Sequence, residues 1–293
     1  MALSFDAFLQ QAWADHADQP DAVAARLRTE TSSPQSAEQL AALVGFVVHL
    51  CGEHLGAFDD GRGRLEALAG HPLADASVQS ALRVGIASLT LAETDSADRG
   101  GFSLEELIRS EAAAAAIGLG RGQTERAMAL LHTARERLAA LPDAHAAVHR
   151  PLAVACNNMA WELHDRGSAR SAADTTAMLD IAAASKVHWA QAGTWLEVER
   201  ADYGLALCHL SAGLPDLAAS FAAQCLAACT QNDAPPCEHF SAHEASARAQ
   251  HARGDQAARA RSVAAAEAAF AKLPASDQDA SRKTLTALQA LPR

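Results

Sequence analysis

The sequence predicts an all-α protein. Apolar residues recur at helical spacing through segments of roughly 12–20 residues, separated by short breaks rich in Gly, Pro, Asp and Ser. Pro20, Pro72, Pro142, Pro215 and Pro274 all fall in those breaks, where a missing N–H costs little. Alanine fills 73 of the 293 positions while aromatic residues supply 4%. That composition suits closely packed helices, and disfavours a β-sandwich or barrel, which would draw on Val, Ile, Thr and aromatics. With 49% hydrophobic residues, the chain has material for a sizeable core and is not generally disordered.

The elements follow in order along a chain expected as a single domain. Residues 1–35 read as N-terminal helices. Ser36 opens the next helix as half of a capping box with Gln39, and residues 36–102 form irregular helical hairpins. Within them, a helix over 74–92 has no obvious partner before the loop at 94–101. Ser103 and Glu106 make a second capping box, and residues 103–273 carry the most regular pattern. A last helix over 276–291, with Ser276 as its N-cap, is placed to cover the open end of the array within 274–293.

The regular pattern is a repeat. Gly122, Gly167, Gly213 and Gly254 stand 45, 46 and 41 residues apart. Seven residues before each is an alanine: Ala115, Ala160, Ala206 and Ala247. Five residues after come Ala127, Ala172 and Ala218, with Arg259 in the fourth copy. Small residues at fixed places let two helices approach closely, and the glycine turns the chain between them.

Asn157-Asn158-Met159-Ala160-Trp161, followed by Gly167 and Ala172, resembles the tetratricopeptide repeat, and Tyr203 to Ala206 with Gly213 and Ala218 resembles it again. The likeness covers 103–273 well and 36–70 loosely, through Gly56 and Gly61. It implies a right-handed α-α superhelix of antiparallel hairpins with lengthened helices and a C-terminal capping helix. It also implies a non-catalytic adaptor that binds a peptide or protein segment in a concave groove lined by the first helix of each hairpin. The groove positions are then Asn157, Asn158, Trp161, His164 and Asp165 in one copy, and Arg200, Tyr203, Leu207 and Leu210 in the next. Glu244, Arg248 and His251 follow in the last copy, and Arg109 comes from the first. Asn158 matches the family position whose amide bonds the backbone of an extended peptide. The lysines with which the family grips an acidic C-terminus have no counterparts, so Arg200 and Arg248 become the groups to hold a carboxylate. Trp161 and Tyr203 become the aromatic anchors.

The alternative is a metal-binding or enzymatic helical protein. Thirteen histidines include the i,i+4 pairs His145/His149 and His239/His243, with His49/Glu53 and Cys225/Cys229 spaced likewise and Cys237 nearby. No H-E-x-x-H, C-x-x-C or G-x-S-x-G motif accompanies them. The glycine-rich stretch 118–124 lacks a Walker lysine and follows a helix, so it reads as a turn. No cofactor is expected.

The net charge of −11, without a basic block, argues against nucleic acid and anionic membranes as partners. The longest apolar run, 40–48, is far below the ~20 residues that span a bilayer. Met1 to Asp6 lacks the basic start of a secretion signal, and six scattered cysteines are not a disulfide framework, so a cytoplasmic location is expected. Three lysines beside 21 arginines fit a GC-rich bacterial coding bias. A homodimer through the face 36–54 is the competing assembly.

Overall fold

The computed structural model describes residues 4–29, 33–94, 96–141 and 146–292. Met1, Ala2, Leu3, Pro142 and His145 lie outside these. The described residues form fourteen α-helices and no strand. None of the helices is long and apolar enough to cross a membrane. By their contacts the residues divide into two compact units, Met1–Ala144 and His145–Arg293.

The first unit contains α1 (Phe5–Asp15), α2 (Pro20–Thr29), α3 (Ala37–His49), α4 (Phe58–Leu68), α5 (Ala76–Thr94), α6 (Leu104–Gly120) and α7 (Thr124–Ala139). Between α3 and α4 the chain makes a π-helical turn, Leu50–Leu55, closed by Gly56 at φ 63°. Helix α5, the one without an obvious partner in the sequence, packs on α3, α4 and α6. Leu40, Val44, Val47, Leu65, Leu82, Leu89 and Ile117 form one core cluster, and Phe5, Leu9, Val23, Phe46 and Leu50 a second. Within 36–54, Leu40, Val44, Phe46, Val47 and Leu50 are therefore buried in the unit's own core.

Caps explain where several helices start. Ser103 and Glu106 form the expected box, each bonding the other's backbone N–H. Ser36 accepts from the Gln39 N–H, but Gln39 returns its oxygen to the Gln35 N–H, so that box is half made. Glu106 also takes Ser80 and Arg83. Glu111, 1% exposed, is held by Arg99 at 2.7 Å and Arg137 at 2.9 Å. These buried carboxylates are structural ion pairs.

The second unit runs α8 (Ala146–Asp165), α9 (Ala172–Ala192), α10 (Trp195–Ser211), α11 (Pro215–Gln231), α12 (Pro236–Ala252), α13 (Gln256–Phe270) and α14 (Ala275–Gln289). Helices pair as α8–α9, α10–α11 and α12–α13, while α8 also touches α10 and α10 touches α12. Alanine makes this close approach workable: Ala206, Ala222 and Ala245 meet in one buried cluster. Helix α14 packs on α12 and α13, burying Leu288 beside Phe240 and Phe270. It starts at Ala275 after Pro274, one residue before the expected Ser276 cap, which bonds the neighbouring Asp277 side chain instead.

The glycine pattern has a direct structural counterpart. Gly122, Gly167, Gly213 and Gly254 all have positive φ, between 51° and 77°, the left-handed conformation that ends a helix. The alanines seven residues earlier are all buried. Ala127 and Ala218 are buried too, but Ala172 is exposed. The reason is a 3₁₀ turn at Gly167–Ala169 and a capping box at Ser171, which delay the start of α9.

Candidate functional site

Helices α8, α10 and α12 line two concavities of the second unit. The first, about 440 Å³, is bounded by Asn157, Trp161, Glu199, Arg200, Tyr203, Cys237, Glu238 and Ser241. The second, about 500 Å³, has His164 from α8, Leu207 and Leu210 from α10, Glu244, Arg248 and His251 from α12, and Leu291. Tyr203 of the first bonds Glu244 of the second through its hydroxyl, at 3.1 Å.

Ten of the thirteen residues expected to line a groove thus border these two concavities, from three helices separated in sequence. Asn158 and Asp165 are exposed on α8 and are not among the lining residues; the Asn158 amide oxygen accepts from Asn157 at 3.3 Å, and Asp165 Oδ1 lies 3.0 Å from His164 Nδ1. Arg109 stands on α6, in the first unit. Trp161 lies 6.2 Å from the Tyr203 ring and 5.2 Å, edge-on, from His164.

The arginines come with partners the sequence pattern did not reveal. Arg200 donates through Nε and Nη2 to Glu238, from a side chain that is 60% exposed. Arg248 donates to Glu244 at 2.9 Å along α12. Each is therefore a neutralised pair, oriented by a buried carboxylate, rather than a lone cation.

Two buried atoms in these walls lack partners among the described residues: Glu199 Oε2 in the first concavity and His251 Nδ1 in the second. Glu199 is 1% exposed, and its other oxygen accepts from the thiols of Cys225 at 2.6 Å and Cys229 at 3.4 Å. Burial raises the Glu199 carboxyl above the usual range, with the thiol hydrogen bonds opposing. The Cys229 hydrogen bond, burial and Glu199 together push the Cys225 thiol far up. Tyr203 is raised likewise, first by burial and then by the Glu244 charge. The raised Cys225 thiol and Tyr203 hydroxyl are thus suited to donating hydrogen bonds, and they are poor nucleophiles.

The other pairs noted in the sequence are scattered. His239 and His243 stack on α12 with ring centroids 6.3 Å apart. His149 meets His188 of α9 at 3.1 Å, nitrogen to nitrogen. Glu199, one of two glutamates on α10, carries no signal in the sequence, because its significance comes from two thiols on α11. No family model, curated protein or solved structure matches the chain.

Proposed function

We propose that the second unit is a non-catalytic recognition module of tetratricopeptide-like hairpins, part of a right-handed superhelical array, that binds an extended protein segment along α8, α10 and α12. The observation that carries this reading is the pair of unpartnered buried atoms in the walls, Glu199 Oε2 and His251 Nδ1. Leaving a buried polar atom unsatisfied costs ~1–3 kcal/mol, so a ligand that satisfies both recovers that cost. A peptide backbone offers both donors and acceptors at short intervals. Asn157 and the exposed Arg200 side chain add donors for its carbonyls, and Trp161 with Leu207 and Leu210 supplies apolar contact.

The test is selection from a displayed library of random linear peptides against the untagged chain, followed by calorimetry. Convergent peptides should bind at one per chain and weaken at least tenfold, or about 1.4 kcal/mol, on Glu199→Ala and on Arg200→Glu. Peptides that bind both variants as well as wild type, or a selection that never converges, would refute the groove.

A further inference from the structure

The first unit contains a second cluster, unrelated to the groove. His16 caps α1, His49 ends α3, and His54 sits in the π-helical turn. One nitrogen from each ring lies within 4.8 Å of the others, and all three side chains are half-buried. Ring centroids are 4.9 Å apart for His16 and His49, 4.7 Å for His16 and His54, and 4.8 Å for His49 and His54.

The π turn creates this meeting. Residues five apart on an α-helix point about 140° away from each other at 3.6 residues per turn. A π-helix closes i→i+5 hydrogen bonds, so residue i+5 returns to nearly the same face. His54 thereby comes back over His49, their Nε2 atoms 3.1 Å apart. The turn is held by Gly56, whose left-handed backbone lets its N–H reach the Cys51 carbonyl. Gly52 stabilises it from the other side, since a Cβ there would stand 2.8 Å from Ile117 of α6.

The outer nitrogens are already engaged. His49 Nδ1 is 2.9 Å from Glu53 Oε1, and His16 Nδ1 is 2.6 Å from the Trp13 carbonyl oxygen. Both partners only accept, so both Nδ1 atoms carry the proton, and the His49 Nε2 lone pair accepts from the His54 Nε2–H until that proton moves. A carboxylate or carbonyl behind the far nitrogen is the arrangement that orients a metal-ligating histidine. Two nitrogens on one tetrahedral ion at ~2.0–2.1 Å stand about 3.3 Å apart, close to the His49–His54 separation. His16 has at most about 1.5 Å to close by that measure, a small ring rotation.

We propose that His16, His49 and His54 bind one divalent transition-metal ion through their Nε2 atoms, with Glu53 and the Trp13 carbonyl orienting two of the rings. Imidazole ligands select zinc and its borderline neighbours over calcium or magnesium. Three protein ligands leave a fourth position for water or a small anion. Binding moves the His54 proton from Nε2, where it faces His49, to Nδ1.

The test uses the full chain, purified without a metal-affinity tag, stripped with chelator and titrated with Co(II) and then Zn(II). One equivalent should bind, with the visible spectrum of nitrogen-ligated tetrahedral cobalt displaced by zinc. His49→Gln and His54→Gln should each weaken zinc binding at least about 100-fold. Glu53→Gln keeps all three ligands and should weaken it by roughly 10–100-fold, which guards against loss by misfolding alone. A His239→Ala/His243→Ala variant should match wild type. Absence of stoichiometric zinc binding, equal affinity in His54→Gln, or thiolate bands placing the ion at Cys225 and Cys229 would each overturn the assignment.

Discussion

The Tyr203 hydroxyl donates to Glu244 Oε2 at 3.1 Å, linking α10 to α12 across 41 residues of sequence. Glu244 is 7% exposed and takes Arg248 on its other oxygen, so a tyrosine, a glutamate and an arginine hold these helices in register. Tyr203→Phe removes one donor from a buried carboxylate and should cost about 1–2 kcal/mol. Urea unfolding of the two proteins measures it. An unchanged midpoint would mean that water satisfies Glu244 equally well.

Alanine spacing makes a second prediction, with a built-in control. Ala206 is 0% exposed between α10, α11 and α12, and Ala206→Leu should destabilise by ~1–3 kcal/mol through overpacking. Ala172 follows its turn glycine by five residues, as the buried Ala218 does, yet it is exposed, so Ala172→Leu should stay within about ±0.5 kcal/mol. Melting temperatures of the two variants decide the matter; equal losses would contradict the shifted start of α9.

Glu106 sets part of the acid sensitivity. Burial opposes its ionisation, but hydrogen bonds from Ser80 and the Ser103 N–H, with Arg83, outweigh that and bring its carboxyl down to about 2 from 4.5. A depressed folded-state value means the unfolded chain binds the proton more readily. The Glu106 contribution is therefore complete above about 4.5 and disappears as pH falls toward about 2. Glu106→Gln should melt below wild type at pH 7, with the gap closing across that window. A gap that persisted at pH 2 would assign the loss to packing.

Thiol chemistry should be selective. Cys237 is exposed at the rim of the first concavity, while the other five cysteines are buried. Burial pushes Cys51 to about 11 and Cys208 to about 12. A small alkylating reagent at pH 8 should modify one thiol in the folded chain and six in denaturant, with Cys237→Ser abolishing the first. Rapid native labelling of Cys225 would show that α10 and α11 open readily.

Turn chemistry and local spacing were legible in the chain before any coordinates. The four turn glycines, the Ser103 cap and the buried alanines before each turn depend on residues within a few positions of one another. Most of the residues that border the two concavities are also named from the sequence, through the register that the tetratricopeptide resemblance implies. What could not be read depends on distance or on a change of period. Glu238 neutralises Arg200 from 38 residues away, and Glu199 gains its thiols from α11. The i,i+4 relation of His49 and Glu53 stands out in the sequence, but His54 at i+5 fits no α-helical face. Only the π turn reveals it, and His16 joins from 33 residues upstream.

The strongest packing within each unit is between helices that follow one another along the chain: α6 with α7, α8 with α9, α10 with α11, and α12 with α13. Such contacts close short loops, which cost little entropy to bring together. Low contact order of this kind goes with folding on the microsecond-to-millisecond scale. The slow event in each unit should instead be the late docking of elements distant in sequence. In the first unit that is the approach of α1 to α3, the step that brings His16 to the other two histidines.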